Sequence, residues 1–399
     1  MNQIQFIYQQ LLMALGDGLV IFCSQYWGKR QTEPMKKISA TAMHAGLLIA
    51  ILLFALVSIF PRQAVGIFTT EESIIREGVS YLSIIRFTYL FFAVTQILLA
   101  TLRSVEVVKI AFYLSVMTFF VNCGINYVLI YGHFGAPEMG AAGAAIGTLA
   151  ARMTELVVLI IYIIKKEKQL HLSIRSYLQH DRVLSGDYFR VTAPMLVVQG
   201  LWGVNTALQT VILGHMTAAA IAANSVASTI FMMVKSMAVG AASTASIIIG
   251  NTIGTGDIAL VKKYSGRLQR IFVVIGLVSG LLLFLIRVPI LQLYDLSAST
   301  KEMANTFLII LSVVVIGMSY QMPTNNGIIR GGGNAMFVVK MDLISIWGIV
   351  IPLSFVMAFV VKASPAVVVC CLNADQIFKC IPAFLESHYG NWIRKLTRE

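Results

Sequence analysis

The sequence predicts an all-α polytopic membrane protein, and three observations carry this prediction. Hydrophobic residues make up 58% of the 399 residues and charged residues only 12%, whereas about a quarter of the residues in a typical soluble protein are charged. Apolar runs of about 20 residues, each long enough to cross the hydrocarbon core as a helix, recur along nearly the whole chain. The period-2 alternation of barrel strands is absent from these runs, so helices are the spanning structure that fits.

Apolar windows between polar breaks predict eleven membrane-spanning helices. They cover residues 4–27, 38–60, 80–102, 108–131, 141–164, 191–214, 219–249, 269–287, 304–329, 338–361 and 364–386. Basic residues give an independent test, because Lys and Arg concentrate in the cytoplasmic loops of membrane proteins. Every second loop is basic, from Lys29 to the tail at Arg394, and alternate loops such as residues 132–140 are nearly free of Lys and Arg. The pattern predicts a multi-pass protein of the cell membrane with a cytoplasmic C-terminus.

The net charge of +12 comes largely from these loops, so it does not predict a nucleic-acid partner. The five cysteines show no C-x-x-C spacing, and the six histidines offer no pair at metal-ligand spacing. The glycine triplet at 331–333 lacks the Lys-Ser that follows the glycines of a nucleotide-binding loop, and we expect it to be a turn. The sequence therefore predicts no enzyme, no catalytic residue, no metal site and no cofactor. Its expected partners are the lipid bilayer and a small-molecule substrate.

The chain also carries an internal repeat. At an offset of 222, four residues fall on identical ones: Asn2 on Asn224, Gly18 on Gly240, Ser24 on Ser246 and Gly28 on Gly250. Segments one to five match segments seven to eleven, a shift of six helices that preserves orientation, so two parallel repeats are expected. We expect a first lobe at 1–164, a basic cytoplasmic linker at 165–185 and a second lobe at 186–399. The sixth segment has no partner in the first lobe, which predicts that an ancestral first helix is absent.

Two such halves resemble the multidrug and toxic compound extrusion (MATE) family, whose full fold has twelve helices. The first-half residues that match the family pattern are Asn126, Gly132, Gly135, Pro137, Gly140, Gly143 and Ala144. In the second half, "RGGGNAM" (330–336) and "IIIGNTIGTGD" (247–257) resemble a turn and a helix end of the family. The resemblance implies a secondary active exporter of amphipathic, often cationic, small molecules. It implies exchange for Na+ or H+ by alternating access of the two lobes, with a monomer as the default state.

Two other functions stay open at this point. The first is a flippase of lipid-linked precursors from the same superfamily, for which more intramembrane Arg and Lys would be expected than Arg86 and Lys235. The second is an inactive, truncated transporter, which the missing first helix favours.

Coupling to an ion requires a polar group inside the bundle that the ion neutralises. Asp17 lies within an apolar run between two glycines, and it is either a coupling acid or an acid in a hydrated opening. The resemblance implies acids in the first helix and, in some subgroups, in the seventh and tenth. We expect the first helix to be absent, and the other two positions offer only amides. Amide oxygens can also ligate Na+, so the further coupling candidates are Asn205, Asn325 and Asn326.

Lys235 is a single cation within an apolar helix, and it either lines a cavity or pairs with an acid. Polar and aromatic residues at positions facing the cleft could form the rest of the substrate wall. The substrate-cavity candidates are Gln9, Gln10, Gln199, Trp202, Gln209, Asn224, Lys235, Tyr320 and Gln321.

The remaining intramembrane charges fit ion pairs within a helix. Glu155 stands three residues after Arg152, and Lys379 stands four residues after Asp375. Asp342 follows a basic loop and is expected at the membrane interface.

Overall fold

The computed structural model describes residues 2–66, 72–179, 181–214 and 216–398, and most of these residues are helical. Within this part, eleven helices are long and apolar enough to cross a membrane, which confirms the predicted fold class and number of spans. They are Ile4–Gly28, Thr32–Ile59, Phe87–Ser104, Lys109–Tyr131, Gly140–Lys166, Arg182–Leu213, Ala219–Thr255, Ile258–Gln292, Ala298–Ile329, Ala335–Val360 and Pro365–Tyr389.

Several spans are built from more than one helical segment. The α-helices are α1 (Asn2–Gly28), α2 (Thr32–Ile59), α3 (Pro61–Gly66), α4 (Glu72–Ile85), α5 (Phe87–Ser104), α6 (Lys109–Tyr131), α7 (Gly140–Lys166), α8 (Arg182–Gly214), α9 (Ala218–Thr255), α10 (Ile258–Gln292), α11 (Ala298–Pro323), α12 (Ala335–Asp342), α13 (Ile351–Phe355), α14 (Pro365–Leu372), α15 (Asp375–Phe378) and α16 (Cys380–Tyr389). Short 3-10 turns lie at His133–Gly135 and Ile174–Leu178. Wider π-helical segments lie at Thr324–Ile329, Leu343–Val350 and Val356–Val360.

The third span starts later than the sequence predicted. Residues 80–85 belong to α4, and the spanning helix α5 begins only at Phe87. Arg86 lies at the junction, with its guanidinium 5.2 Å from the ring centroid of Phe87 and 5.6 Å from that of Phe54. Cation–π contacts with these two rings accommodate the charge of Arg86 directly before the spanning helix. Arg86 therefore precedes the span instead of lying inside it.

The chain divides into two compact units, and α1 and α8 each contribute to both. The first unit contains Met1–Cys23 and Arg30–Thr192, and the second contains Ser24–Lys29 and Ala193–Glu399. Residues 186–192, which the sequence assigned to the second lobe, thus group with the first unit. Tyr188 shows the reason, because its buried hydroxyl donates to the carbonyl oxygen of Leu15 at 2.8 Å.

The basic linker before α8 belongs to the first unit and contacts α2. The Tyr177 hydroxyl lies 3.3 Å from the Ser39 hydroxyl, which is itself 2.6 Å from that of Thr101. Burial raises the pKa of Tyr177 to about 12, so this hydroxyl stays protonated at neutral pH. Lys37 on α2 lies 3.2 Å from the carboxylate of Asp181, the residue that precedes α8. Two residues that precede α8, Tyr177 and Asp181, therefore contact α2.

In the second unit, the repeated glycines allow the end of α1 to pack closely on α9. A Cβ atom at Gly28 would overlap the backbone of Asn251, and a Cβ atom at Gly250 would overlap the hydroxyl of Ser24. Such small residues let two membrane helices approach closely. The repeated pattern of Gly and Ser found in the sequence thus corresponds to a helix–helix contact.

The last residues of the chain contact both the glycine turn at 331–333 and the C-terminal end of α1. A Cβ atom at Gly332 would overlap the buried ring of Trp392, and the amide of Arg394 donates to the Gly332 carbonyl at 2.7 Å. The Gln25 side chain donates to the Arg394 carbonyl at 3.1 Å and accepts from the Leu396 amide at 2.8 Å. Residues 392–398, which we call the C-terminal tail, therefore join two distant segments within the second unit.

Candidate functional site

A connected set of polar side chains lies in the interior of the second unit. We call it the polar cluster, and its members are Gln321, Asn325, Asp342, Asp375, Gln376 and Lys379. Helix α11, the π-helical segment after it, α12 and α15 supply the first five, and Lys379 joins α15 to α16. All these elements lie in spans that are otherwise strongly apolar.

Lys379 forms the charged end of the polar cluster. Its ammonium lies 2.9 Å from the Asp375 carboxylate and 2.8 Å from that of Asp342. The side chains of Lys379 and Asp375 are only 4% and 6% exposed, while that of Asp342 is 24% exposed. The predicted pair of Asp375 with Lys379 is confirmed. Asp342, expected at the membrane interface, is the second partner of the same ammonium.

The amide end of the polar cluster is a directed chain of hydrogen bonds. Asn325 donates to Gln321 at 3.0 Å, Gln321 donates to Gln376 at 2.8 Å, and Gln376 donates to Asp375 at 2.8 Å. Each amide N–H thus donates in the direction of the carboxylate. In a low dielectric, the successive hydrogen bonds of such a chain polarise and strengthen one another. The order also leaves the side-chain oxygen of Asn325 at the far end of the chain.

In the second unit, two buried side-chain amide oxygens lack hydrogen-bond partners among the residues that the structure describes. They are the side-chain oxygens of Asn325 and of its neighbour Asn326. Buried polar atoms are nearly always paired, so these two oxygens need an explanation, and the side-chain oxygen of Asn126 in the first unit shares the feature. A carbonyl oxygen is the type of ligand that hard cations such as Na+ accept. Asn325 and Asn326 can therefore serve as cation ligands on chemical grounds.

The backbone is irregular next to three members of the polar cluster, Asn325, Asp342 and Asp375. The π-helical segment Thr324–Ile329 begins directly after Pro323, and the segment Leu343–Val350 begins directly after Asp342. The last span is interrupted between Leu372 and Asp375. Proline removes a backbone donor, and π-helical turns occur often at functional sites. The members of the polar cluster therefore lie at irregular turns of their helices.

Lys235 and Trp202, two of the predicted cavity residues, meet beside the polar cluster. The Lys235 ammonium lies 4.8 Å from the Trp202 ring centroid, within the range of a cation–π interaction. Lys235 is half-buried on α9, and Asp375 and Lys379 are close enough to act on its charge. The structure thus brings this cation to a ring on α8.

The other second-unit candidates lie apart from the polar cluster or only partly near it. Asn205 is buried on α8, and the Gln209 amide approaches its oxygen at 3.5 Å, the limit of a hydrogen bond. Gln199 is half-buried one turn before Trp202. Asn224 stands eleven residues before Lys235 on the same helix, a rise of about 16 Å.

Tyr320 has a different surrounding from the one predicted. Its hydroxyl donates to the buried Gln269 side chain on α10 at 2.7 Å. This bond holds the tyrosine toward α10, whereas its neighbour Gln321 belongs to the polar cluster.

The candidates of the first unit lie along α1. Asp17 is half-buried between the buried residues Gly16 and Gly18, and its charge acts on Tyr188 of α8. Gln9 and Gln10 are half-buried about two turns earlier on the same helix. Asp17 therefore has the position of an acid inside the first unit.

The predicted pair of Arg152 and Glu155 is confirmed in the first unit. The guanidinium lies 2.7 Å from the carboxylate, and it also lies 4.7 Å from the ring centroid of Phe92. This pair has the local character expected from its spacing along α7.

Sequence reasoning missed Gln376 and the double pairing of Lys379. The available signal was the concentration of ionisable residues in the last two apolar segments, because intramembrane charges point to functional sites. The link from Lys379 to Asp342 joins residues 37 positions apart, and their spacing alone does not predict it.

Comparisons with known proteins agree on the family. The sequence model of the MatE family matches residues 1–128 and 194–356. The chain is 25% identical over 367 residues to the Bacillus subtilis (strain 168) protein "Probable multidrug resistance protein YoeA", covering 90% of this chain and 77% of that protein. It is 23% identical over 407 residues to the Thermotoga maritima protein "Probable multidrug resistance protein NorM", covering 100% of this chain and 86% of that protein.

The fold gives the same result as the sequence comparisons. A crystal structure of MATE in complex with MaL6 matches with a TM-score of 0.87 at 15% identity, covering 96% of this chain and 85% of the other. A likeness at this identity shows a shared fold. The family match over most of the sequence shows more: this chain belongs to the MatE family of membrane transporters.

Proposed function

We propose that this protein is a secondary active multidrug exporter that moves amphipathic small molecules, including cationic ones, across the cell membrane in exchange for Na+ or H+. Its relatives in B. subtilis and T. maritima carry multidrug resistance names, which supports the substrate class. The alternation of basic loops along the sequence supports a cytoplasmic C-terminus. A monomer is the expected state.

The polar cluster is the observation that carries the proposal. Lys379 and two carboxylates lie inside apolar helices, an arrangement that is costly to maintain and that marks ion pathways in membrane proteins. In this proposal the orphaned oxygens of Asn325 and Asn326 ligate Na+, or Asp375 accepts a proton. Asp17 and Asn205 are the further coupling candidates.

Neutralising Asp375 would change the polar cluster locally. A protonated Asp375 would attract the Lys379 ammonium less, and it would be a weaker acceptor for the Gln376 amide. Both changes act at the break in the last span between Leu372 and Asp375, where turn-type backbone hydrogen bonds replace those of the regular helix. We propose that this shift is part of the alternating-access cycle.

Proteoliposomes test the exporter directly. The purified protein is reconstituted with ethidium on one side, and a Na+ gradient and a pH gradient are imposed separately. We expect ethidium transport under one of the two gradients and no transport without a gradient. A folded protein that moves no ethidium under either gradient would contradict the proposal.

A double variant tests the role of the amide oxygens. Asn325→Ala with Asn326→Ala removes both orphaned oxygens, and we expect loss of gradient-driven transport. Asn122→Ala on α6 of the first unit is the matched control, since its amide has partners in Asn126 and Thr148. Equal transport by both variants would exclude these oxygens from coupling.

A further inference from the structure

The exposed face of α9 differs in composition from a lipid-facing helix surface. Between residues 225 and 244, its exposed positions are Ser225, Thr229, Met232, Met233, Ser236, Met237, Gly240 and Thr244. On the neighbouring α10, the exposed positions between residues 271 and 285 are Ile271, Val273, Val274, Leu277, Val278, Leu281, Leu282, Phe284 and Leu285. A helix surface in contact with acyl chains is rich in large aliphatic residues, as on α10. Between residues 225 and 244 the exposed face of α9 has none of them, and Ile221, one turn earlier, is 41% exposed. This stretch of α9 therefore fits a ligand-accessible surface better than a lipid-facing one.

Three exposed methionines lie on this face of α9, and Met232, three residues before Lys235, is the one nearest to Lys235 around the helix. Met232, Met233 and Met237 are 50%, 68% and 53% exposed. The flexible, polarisable thioether lets methionine adapt to apolar groups of different shapes, and it is common at promiscuous binding surfaces. The half-buried Lys235 therefore lies at the edge of this adaptable apolar face, on the side of Met232.

The two carboxylates of the polar cluster form their ion pairs with Lys379 and not with Lys235. Lys379 holds both Asp342 and Asp375 at ion-pair distance. Among the residues that the structure describes, no carboxylate lies within 4.0 Å of the Lys235 ammonium, whose close contact is the Trp202 ring. An ammonium in an apolar span with only a ring as partner has unused capacity to bind an anion.

Trp202 completes the site from α8. Its ring lies 4.8 Å from the ammonium and offers a flat surface to an aromatic ligand, while the half-buried Gln199 lies one turn away. Charge and shape thus match a molecule with an anionic end and an apolar or aromatic body.

We propose that Lys235 binds the carboxylate end of amphipathic organic acids or zwitterions, whose apolar or aromatic body packs on Trp202 and Met232. The proposal rests on the exporter function and specifies its substrate class. The occupant is a free small molecule, because one ammonium beside one ring matches a compact aromatic carboxylate.

Binding of matched pyrene probes to the detergent-purified full chain tests the site. The probes are pyrenebutyrate and its uncharged amide, which share one body and differ in charge. For Lys235→Met we expect the Kd of pyrenebutyrate to rise about tenfold or more and the Kd of the amide to change less than about twofold. Lys235→Arg keeps the charge and should keep pyrenebutyrate binding. Lys262→Met, at an exposed position of α10, is the matched control and should change neither Kd.

Three results would overturn the proposal. The first is an unchanged Kd of pyrenebutyrate in Lys235→Met, provided that the variant elutes and unfolds like the wild type. The second is an equal loss of both probes, which would show a packing role. The third is displacement of pyrenebutyrate by phosphatidylglycerol but not phosphatidylcholine in nanodiscs, which would show that the site holds a lipid headgroup. Ethidium transport distinguishes this outcome from failure of the exporter proposal, because it is measured without the anionic probe.

Discussion

Each unit of the protein buries an acid beside a base, but the two arrangements differ in kind. In the first unit, Arg152 and Glu155 are three residues apart on one helix, and the guanidinium is 25% exposed and rests on Phe92. In the second unit, Lys379 holds two carboxylates from different helices, and it is only 4% exposed. The first pair satisfies its charges locally. The second connects separate elements and depends on their relative position, which is what a site that responds to an ion requires.

Removing the shared ammonium should have the largest effect. Lys379→Met leaves two aspartates close together in an apolar region with no cation between them. Breaking a buried ion pair in this way costs about 3–5 kcal/mol. We expect a loss of this order in the free energy of unfolding, measured by denaturant titration in detergent.

A compensated variant is the control for Lys379→Met. Adding Asp342→Asn and Asp375→Asn removes the uncompensated charge, and we expect most of the stability to return without ethidium transport. A triple variant as unstable as Lys379→Met would show that packing of the lysine stem, and not its charge, dominates.

Neutralising one carboxylate should cost less stability and still stop transport. Asp375→Asn keeps an acceptor for Gln376 and leaves Lys379 paired with Asp342, so we expect a loss of about 1–3 kcal/mol. Ethidium transport in proteoliposomes should fall to the background level. Full transport by this variant would remove Asp375 from the coupling mechanism.

The corresponding change in the first unit should be milder. In Glu155→Gln the guanidinium of Arg152 keeps the Phe92 ring and partial contact with solvent, so we expect a loss of about 1 kcal/mol. Transport should match the wild type. A transport defect as large as that of Asp375→Asn would erase the difference between the two units.

The smallest effect is expected at the exposed pair of the first unit. Hydrogen bonds from the Leu184 amide, Lys37 and the Val183 amide hold the pKa of Asp181 below its ordinary value of 3.8. A lowered pKa means that Asp181 stabilises the start of α8 above pH 3.8, and that this contribution is lost as the pH falls through the folded-state pKa.

Hydrogen exchange can detect this pH dependence. After correction for intrinsic rates, protection of the Val183 and Leu184 amides should decrease on acidification in the wild type. In Asp181→Asn protection should be lower at neutral pH and should not depend on acid pH. An identical pH profile in the variant would assign the effect to another group.

The sequence was sufficient for the spans and for the ion pairs within a helix. Length and apolar composition predict a membrane helix without knowledge of its neighbours, and spacings of three and four residues predict Arg152–Glu155 and Asp375–Lys379. The observed start of a span differs from the predicted one where a charged residue finds local partners, as Arg86 does on the rings of Phe54 and Phe87.

Contacts between distant segments could not be derived in the same way. The pairing of Asp342 with Lys379, the amide chain through Gln376 and the stacking of Lys235 on Trp202 all depend on how helices pack. A single sequence shows that such polar residues are unusual in apolar segments, but not which of them meet. The internal repeat is a partial exception, because it singles out Gly28 and Gly250, which lie at close contacts between α1 and α9.

The C-terminal tail has a consequence for biosynthesis. Gln25 and Tyr26 emerge early from the ribosome, yet their hydrogen-bond partners Arg394, Leu396 and Arg398 are made about 370 residues later. Throughout translation the end of α1 must remain in the membrane without these contacts. Nascent chains stalled before residue 392 should therefore be more accessible to protease near Gln25 than the finished chain.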